Sequence, residues 1–231
     1  MGGLGPAATA QFLSSVVKRT AADRDQEHVD LVVSQHSSTP DRTGYLLDPT
    51  QPNPAPTLIH DARMLERMGA GFIVIPCNTA HAFVEQVRKS ISVEVLDILE
   101  CTVAETTTRC GGRGGKVGLL ATDGTLKTGM YQRELANAGH QTILPDRHDQ
   151  DLVMEVIYGD VKAGHVGGSP VLFDVISRLR EFGAEYFILG CTELPIAAEP
   201  LGLLDDRRVI DSVTALADAT ILRSGKSVRK K

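Results

Sequence analysis

Short apolar runs alternate with amphipathic stretches along the 231 residues of this chain. Residues 71–76 and 186–190 form two such runs, each uncharged and each preceded by a stretch of helical periodicity and a glycine. Uncharged runs of this length are typical of buried parallel strands. Strands that alternate with helices at this spacing form parallel sheets with right-handed crossovers, so the pattern predicts an α/β fold.

The same periodicity predicts the individual elements. Helices are expected over residues 7–20, 58–68, 80–89, 101–109, 127–137, 149–162, 171–181 and 212–222, and strands over 29–35, 71–76, 94–98, 116–122, 142–145, 186–190 and 208–211. Residues 37–56 contain five prolines, a composition typical of a long irregular loop. Loops of this length in compact domains usually bind or cover a ligand.

One pattern occurs twice and divides the chain into similar halves. In each half a helix end, a glycine and a buried strand lead to a cysteine that is closely followed by threonine: Cys77 precedes Thr79, and Cys191 precedes Thr192. We therefore expect two pseudo-symmetric, doubly wound domains with parallel, flavodoxin-like sheets, which would bring two thiols to one cleft.

The predicted domains differ at their beginnings. The first comprises residues 1–112, the second comprises 113–207, and residues 208–231 are expected to return to the first domain and end in a basic tail. The second half places a strand before its glycine-threonine turn, whereas the first half begins at the turn itself. In flavodoxin-like order the opening strand lies inside the sheet. We therefore expect that the first domain lacks its opening strand, that Met1 aligns with the last residue of that strand, and that the gene product starts upstream.

Composition and charge argue against several classes of function. The net charge is −5 with acids and bases interspersed, which indicates no nucleic-acid partner. No run approaches the roughly 18 to 20 apolar residues of a membrane span, and no signal sequence is evident, so we expect a cytoplasmic protein. The four cysteines are then expected as thiols; they form no Cys-x-x-Cys pair, and we expect no metal site. Residues 223–231 are interpreted as a solvated basic tail.

The two cysteines lie where ligands bind in an α/β fold. Cys77 and Cys191 follow predicted strands at their carboxyl ends. Unpaired N–H groups at the strand-to-helix junctions favour a thiolate and can also bind a carboxylate. If a carboxylate is held between two facing thiols, one thiolate can remove the α-proton while the opposite thiol donates another. This chemistry inverts the α-carbon without a cofactor.

Five motifs in order resemble the aspartate racemase branch of the aspartate/glutamate racemase family. They are Gly-Gly-Leu-Gly-Pro at 2–6, Pro-Asp-Arg-Thr at 40–43, Pro-Cys-Asn-Thr-Ala-His at 76–81, Gly-Leu-Leu-Ala-Thr-Asp-Gly-Thr at 118–125 and Gly-Cys-Thr-Glu-Leu at 190–194. Glutamate racemases usually carry His-Tyr-Pro where this chain has Glu-Leu. The resemblance implies a pyridoxal-independent enzyme, two α/β domains with a cleft between them, and commonly a homodimer.

The resemblance also implies roles for individual residues. Cys77 and Cys191 match the paired acid and base, with Cys77 facing the D-enantiomer and Cys191 the L-enantiomer. The residues that match the cradle of the α-carboxylate are Asn78, Thr79 and Thr192.

Two basic residues match a clamp for the side-chain carboxylate of the substrate. Arg42 lies in the Pro-rich loop, and Lys162 is the last residue of a predicted helix. A planar guanidinium suits bidentate carboxylate binding and an ammonium adds a point charge. Two cations in an otherwise neutral cleft are therefore expected to select a dicarboxylic amino acid.

Further polar residues are expected near the cleft. Thr125 and Gln35 lie at predicted strand ends, and Thr125 is expected to contact substrate. His81 is interpreted as a helix-start or second-layer hydrogen-bonding residue. Glu193 either polarises Cys191 or stabilises a helix amino terminus. Cys101 and Cys110 have no matching partner and are interpreted as packing residues.

The leading hypothesis is interconversion of L- and D-aspartate. A glutamate or broad-specificity amino-acid racemase is an alternative, because a few cleft contacts set the choice of side chain. A second alternative, of another class, is a catalytically silent ligand-binding or redox-sensing protein that retains both thiols.

Overall fold

Two parallel sheets form the framework of the protein, for which a computed structural model describes residues 1–165 and 167–229. The first sheet has two strands, β1 (Phe72–Val74) and β2 (Glu94–Leu96). The second has the order β4-β3-β5-β6 and consists of β3 (Lys116–Leu120), β4 (Gln141–Ile143), β5 (Tyr186–Leu189) and β6 (Val209–Asp211). Every pairing within these sheets is parallel, which confirms the predicted α/β fold.

Helices connect the strands and cover the sheets. The α-helices are α1 (Pro6–Arg19), α2 (Arg42–Leu47), α3 (Ala55–Arg67), α4 (Val84–Arg88), α5 (Ile98–Arg109), α6 (Asp123–Thr128), α7 (Met130–Asn137), α8 (Arg147–Glu155), α9 (Val171–Glu181), α10 (Leu194–Ala198) and α11 (Ser212–Arg223). Within residues 1–165 and 167–229, no helix is both long enough and apolar enough to cross a membrane.

Two predicted elements differ from the structure for local reasons. The expected loop at 37–56 contains α2, because Asp41 Oδ1 accepts the Gly44 N–H at 2.6 Å and so caps the helix. The helix expected over 127–137 is preceded by α6 and begins only after Gly129. This residue has φ +65°, a left-handed conformation that glycine adopts without steric cost and that ends α6.

The strand expected over residues 29–35 is wrong except at its end. Only Gln35 pairs, through a single parallel bridge to Gly2. Leu31 and its neighbours are exposed and border a groove of about 350 Å³ whose opposite wall is β1. At this groove the amino group of Met1 donates to Val74 O at 2.7 Å. Alternating apolar residues form a strand only beside a hydrogen-bonded neighbour, which residues 29–33 lack among the described residues. The omitted opening strand stays a prediction.

The carboxyl-terminal segment contacts both halves. β6 extends the second sheet, whereas α11 packs against α1 and α5. Ala21 N–H donates to Ser227 O at 2.8 Å, and Arg229 N–H donates to Arg19 O at 2.6 Å. Residues 227–229 are thus paired with residues 19–21, although Ser227 and Arg229 remain exposed to solvent; residues 230 and 231 lie outside the described residues. The domain boundaries stay predictions.

The apolar core that joins the halves yields a stability prediction. Leu119 in β3 is fully buried in a cluster that contains residues of α1, α5 and α11. We expect Leu119→Ala to lower the free energy of unfolding by about 2–5 kcal/mol, because it removes buried methyl groups and leaves a cavity. Urea denaturation measures the change. The matched control Leu222→Ala, at a side chain 61% exposed, should change it by no more than about 0.5 kcal/mol. Equal effects would contradict the assigned core.

Candidate active site

Both predicted catalytic cysteines line one small cavity. Cys77 and Cys191 are each 5% exposed, and the cavity between them has a volume of about 10 Å³. Its lining residues are Leu4, Asp41, Arg42, Thr43, Cys77, Asn78, Thr79, Thr122, Tyr158, Lys162, Cys191, Thr192 and Glu193. Such a volume accommodates about one water molecule. The cleft between the thiols is therefore too small for an amino acid in this conformation.

The backbone turns sharply where Cys77 enters the cavity. β1 ends before Pro76, and Cys77 N–H donates to Ile75 O at 2.7 Å. His81 Nδ1 is 2.9 Å from Cys77 O, while Ile98 N–H lies 3.3 Å from His81 Nε2. These partners assign a neutral imidazole with its proton on Nδ1, which donates to Cys77 O. His81 thus holds the Cys77 backbone from behind and does not line the cavity.

Cys191 follows β5 at a point that requires glycine. A Cβ on Gly190 would lie 2.9 Å from Leu119 Cδ1 and 3.1 Å from Tyr131 Cε2, so only glycine allows this close approach. Its N–H donates to Leu120 O at 2.7 Å and continues the pairing of β5 with β3. The absence of a side chain at position 190 thereby brings the Cys191 thiol to the cavity.

Glu193 sets the electrostatic environment of Cys191. Cys191 Sγ–H donates to Glu193 Oε2 at 3.0 Å, and Thr192 Oγ1–H donates to the same oxygen at 3.1 Å. Burial raises the pKa of Cys191 well above its ordinary value, and the negative charge of Glu193 raises it further, whereas the Lys162 ammonium opposes both effects. Cys191 is therefore held as a neutral thiol.

Lys162 enters the cavity from an irregular helix end. The helix expected over 149–162 begins as α8 and ends as a π-helical segment, Val156–Val161, directly before Lys162. Lys162 Nζ lies 3.1 Å from Glu193 Oε1 and 5.2 Å from the ring centroid of Tyr158. Burial alone would lower the pKa of Lys162, but the negative charge of Glu193 raises it above its ordinary value, and a thiolate at either cysteine would raise it further.

Arg42 reaches the cavity from the first turn of α2. Its side chain is 93% buried, and its Nη atoms donate to backbone carbonyls, including Pro40 O at 3.0 Å and Leu4 O. Burial lowers the pKa of Arg42, but negative charge at Cys77 and Asp41 outweighs it and raises the pKa. Among the described residues, Nε has no hydrogen-bond acceptor. Arg42 therefore offers an unused donor beside Cys77.

Asn78 is held by residues of the opposite half. Tyr131 Oη–H donates to Asn78 Oδ1 at 2.6 Å, and Asn78 Nδ2–H donates to Ser212 Oγ at 3.1 Å. Ser212 Oγ–H in turn donates to Leu189 O at 2.9 Å. This chain of hydrogen bonds orients the amide of Asn78 and ties it to the end of β5.

Three threonine hydroxyls form a second connection between the halves. Thr79 Oγ1 lies 3.0 Å from Thr122 Oγ1 and 2.9 Å from Thr125 Oγ1, and the last two are 3.1 Å apart. Thr125 is fully buried and does not line the cavity, so it supports Thr79. The helix expected over 80–89 begins with a 3₁₀ turn, Thr79–Phe83, which places Thr79 at this position.

The cavity differs from the expected site at several positions. Gln35 is exposed and absent from the lining; it meets the site only indirectly, through its bridge to Gly2.

Sequence reasoning missed Tyr158 and Thr122 as lining residues. Tyr158 lies four residues before Lys162, a spacing that places two helical residues on one face. Thr122 precedes Thr125 by three residues, the spacing of a helix cap. Tyr131 carries no comparable signal, because a buried tyrosine in a helix resembles ordinary core.

Comparison with known proteins agrees with this fold. Residues 1–220 match the sequence profile of the Asp/Glu/Hydantoin racemase family. The chain belongs to this family of racemases, which are isomerases.

The proteins that this chain resembles differ in substrate. The broad specificity amino-acid racemase RacX of Bacillus subtilis is 27% identical over 225 residues, which cover 96% of this chain and 95% of RacX. The glutamate racemase of Aquifex pyrophilus is 31% identical over 160 residues, 68% of this chain and 59% of that protein. Among solved structures, the aspartate racemase of Picrophilus torridus matches with a TM-score of 0.85 and 29% identity, covering 99% of this chain and 94% of that one.

The environment of Cys191 yields a pH prediction. In a Cys77→Ser, Cys101→Ser, Cys110→Ser background, Cys191 is the remaining thiol, and its alkylation by iodoacetamide can be followed against pH by mass spectrometry. We expect a midpoint above that of free cysteine, about 8.5, because burial and Glu193 disfavour the thiolate. Glu193→Gln should lower the midpoint, since it removes the adjacent negative charge.

The control for this titration is the exposed Glu199, which does not line the cavity. Glu199→Gln should leave the midpoint unchanged. A midpoint at the free-cysteine value that is insensitive to Glu193→Gln would contradict the assigned environment.

Proposed function

We propose that this protein interconverts L- and D-aspartate without a cofactor, using Cys77 and Cys191 as paired base and acid. The observation that carries the proposal is one closed cavity lined by both thiols and by two cations, Arg42 and Lys162. Membership of the racemase family gives the reaction type. The cations favour a substrate with a second carboxylate.

The two thiols have unequal surroundings, which assigns their starting roles. The Cys191 thiol donates a hydrogen bond to the Glu193 carboxylate, whereas Cys77 lies near the Arg42 guanidinium. We assign Cys77 as the first base, acting on the enantiomer whose α-hydrogen faces it. By the family resemblance this is D-aspartate.

Proton transfer then exchanges the protonation states of the two sulfurs. The Cys77 thiolate takes the α-proton, and the C–H electron pair remains on the α-carbon and spreads into the α-carboxylate. The Cys191 thiol donates its proton to the opposite face and becomes a thiolate. The product is the mirror-image amino acid, and the reverse reaction begins at Cys191.

The α-carboxylate must be stabilised as negative charge accumulates on it. Asn78, Thr79 and Thr192 are proposed to donate to this carboxylate, as the resemblance implies. Support comes from the bonds that hold Asn78 and Thr79 before any ligand is present. Donors that are already oriented stabilise developing charge without reorganisation.

The side-chain carboxylate is assigned to Arg42 and Lys162. Arg42 Nε is a buried donor without an acceptor among the described residues, and carboxylate is the ligand that a guanidinium binds in bidentate fashion. A cavity of about 10 Å³ must open before an amino acid enters. α2 packs tightly on α6, where a Cβ on Gly124 would lie 2.9 Å from Thr43 Cα, so we propose that opening separates these helices.

The oligomeric state and the cellular compartment of the enzyme are also part of the proposal. We propose a cytoplasmic homodimer, on the resemblance for the dimer and on the thiol chemistry for the compartment. All four cysteines are free in the structure. A reducing compartment keeps such thiols available as acid and base.

A broader substrate range is the second candidate. It is favoured by the similarity to RacX, which extends over 96% of this chain. In that case the two cations would assist some substrates without being required for all.

Removing either catalytic thiol tests the two-base mechanism. We expect Cys77→Ser and Cys191→Ser each to lower aspartate racemisation by about 10²-fold to 10⁴-fold, because a hydroxyl is a much weaker base than a thiolate. Chiral chromatography of L- and D-aspartate measures the rate. Cys101→Ser and Cys110→Ser, which alter thiols outside the cavity, are matched controls expected to retain activity. Undiminished racemisation by Cys77→Ser or Cys191→Ser would refute the mechanism.

Exchange of the α-proton in deuterated water tests the substrate. We expect aspartate to exchange faster than glutamate and much faster than alanine, because alanine has no group for Arg42 and Lys162. Lys162→Met should reduce exchange with aspartate by about 10-fold to 100-fold through loss of a charge-assisted hydrogen bond. The exposed Lys89→Met is its control. Comparable exchange with alanine and aspartate would instead support the broad-specificity candidate.

A further inference from the structure

We infer that Glu193 binds the α-ammonium group of the substrate, and that this contact makes the site select amino acids over dicarboxylic acids that lack an amine. The inference rests on the proposed function and concerns the same cavity. It gives Glu193 a specificity role in addition to its contact with the Cys191 thiol.

The two oxygens of Glu193 have different partners. The residue is 3% exposed, and its Oε2 accepts from Cys191 and Thr192. Oε1 forms an ion pair with Lys162 Nζ at 3.1 Å and has no other donor among the described residues. A buried carboxylate oxygen needs a donor or a cation. A positively charged ligand group can therefore replace Lys162 at Oε1.

The space beside this oxygen depends on a glycine. A Cβ on Gly5 would lie 2.7 Å from Glu193 Oε1. Any larger residue at position 5 would cover Oε1 or displace the Glu193 side chain. The Gly-Pro turn before α1 therefore leaves room for the Glu193 carboxylate beside Lys162.

The charges of the cavity complement those of an amino dicarboxylic acid. Arg42, which is buried, and Lys162, whose side chain is 23% exposed, match the side-chain carboxylate, and the buried anion Glu193 matches the ammonium. In the ligand-free protein Lys162 is the counter-ion of Glu193. When a substrate carboxylate takes Lys162, Glu193 needs a new counter-ion, because an unpaired buried carboxylate is strongly unfavourable. The α-ammonium supplies it.

The position of Glu193 beside Cys191 also favours its assignment as the partner of the α-ammonium. Glu193 Oε2 is 3.0 Å from Cys191 Sγ, and that sulfur must face the α-carbon for proton transfer. The ammonium is bonded directly to the α-carbon. A substrate placed for reaction at Cys191 therefore carries its ammonium close to Glu193.

Asp41 is the other carboxylate that lines the cavity, and it is a weaker candidate. Asp41 is exposed, and it already accepts from Gly44 N–H at 2.6 Å and from Tyr158 Oη–H at 3.3 Å. Its charge is engaged in capping α2. Water also solvates it, so an ammonium gains less there than at a buried oxygen.

Calorimetric binding of two ligands tests the inference. L-Aspartate and succinate carry the same two carboxylates, and succinate lacks the amine. The full-length Cys77→Ser protein serves as parent, because it should not racemise aspartate during the titration. Into this parent we introduce Glu193→Gln, Asp41→Asn or Glu199→Gln, and we compare the ratio of the two dissociation constants.

We expect Glu193→Gln to reduce the preference for aspartate over succinate by about tenfold or more, the scale of a hydrogen bond to a charged group. Its affinity for succinate should be equal to or higher than that of the parent, because Lys162 no longer has a competing carboxylate. A merely structural defect would not strengthen succinate binding. Asp41→Asn and Glu199→Gln should retain the parental ratio.

Three results would overturn the inference alone, provided that the parent binds aspartate and the unmodified protein exchanges its α-proton. They are an unchanged ratio in Glu193→Gln, an equal loss of both ligands in that variant, and a loss of aspartate preference in Asp41→Asn instead. If the parent does not bind aspartate and the unmodified protein does not exchange it, the proposed function fails and the inference fails with it.

Discussion

Hydrogen bonds that cross between the two halves place the candidate site. Tyr131 and Ser212 hold the amide of Asn78, and Thr122 and Thr125 hold the hydroxyl of Thr79. Because these partners are buried, breaking one would leave a polar group without water or a partner. The ends of β1 and β5 are thereby brought to one cavity, and the two thiols can act on one small molecule.

The pseudo-symmetry of the chain does not extend to the electrostatics of the thiols. Cys191 contacts a carboxylate, whereas Cys77 has a guanidinium nearby. The proposed mechanism requires one protonated and one deprotonated sulfur at the start of each turnover, and the neighbours of the two thiols carry opposite charges. In this proposal proton transfer exchanges the protonation states of the thiols, so each neighbour must tolerate both forms of its sulfur. The positive charge of Lys162, which is paired with Glu193, would help to balance this change.

The charged residues of the cavity have partners within the protein when no ligand is bound. Arg42 donates to backbone carbonyls, and Lys162 is paired with Glu193. These internal partners replace water around Arg42 and Lys162. A substrate must therefore compete with them for the two cations. Such competition favours a ligand that can satisfy every displaced charge, and it disfavours smaller or less charged molecules.

Local sequence determined the main strands and the chemistry of the site. The runs before Cys77 and Cys191 are apolar and uncharged, so their burial could be predicted without knowledge of their neighbours. The motifs around Arg42, Asn78 and Lys162 likewise placed polar and basic residues at the cavity. Family membership followed from the order of these motifs along the chain.

Contacts between residues distant in the chain decided which segments pair and which charged groups meet. Residues 29–33 have the composition of a strand but, within the part of the chain that the structure describes, no adjacent strand to pair with, whereas residues 227–229 pair with residues 19–21. The ion pair of Lys162 with Glu193 joins residues on separate elements, and no local pattern encodes it. The sequence by itself therefore determined which groups are available, and only the tertiary structure decided which of them meet, because hydrogen bonding and charge pairing depend on distances that chain order does not specify.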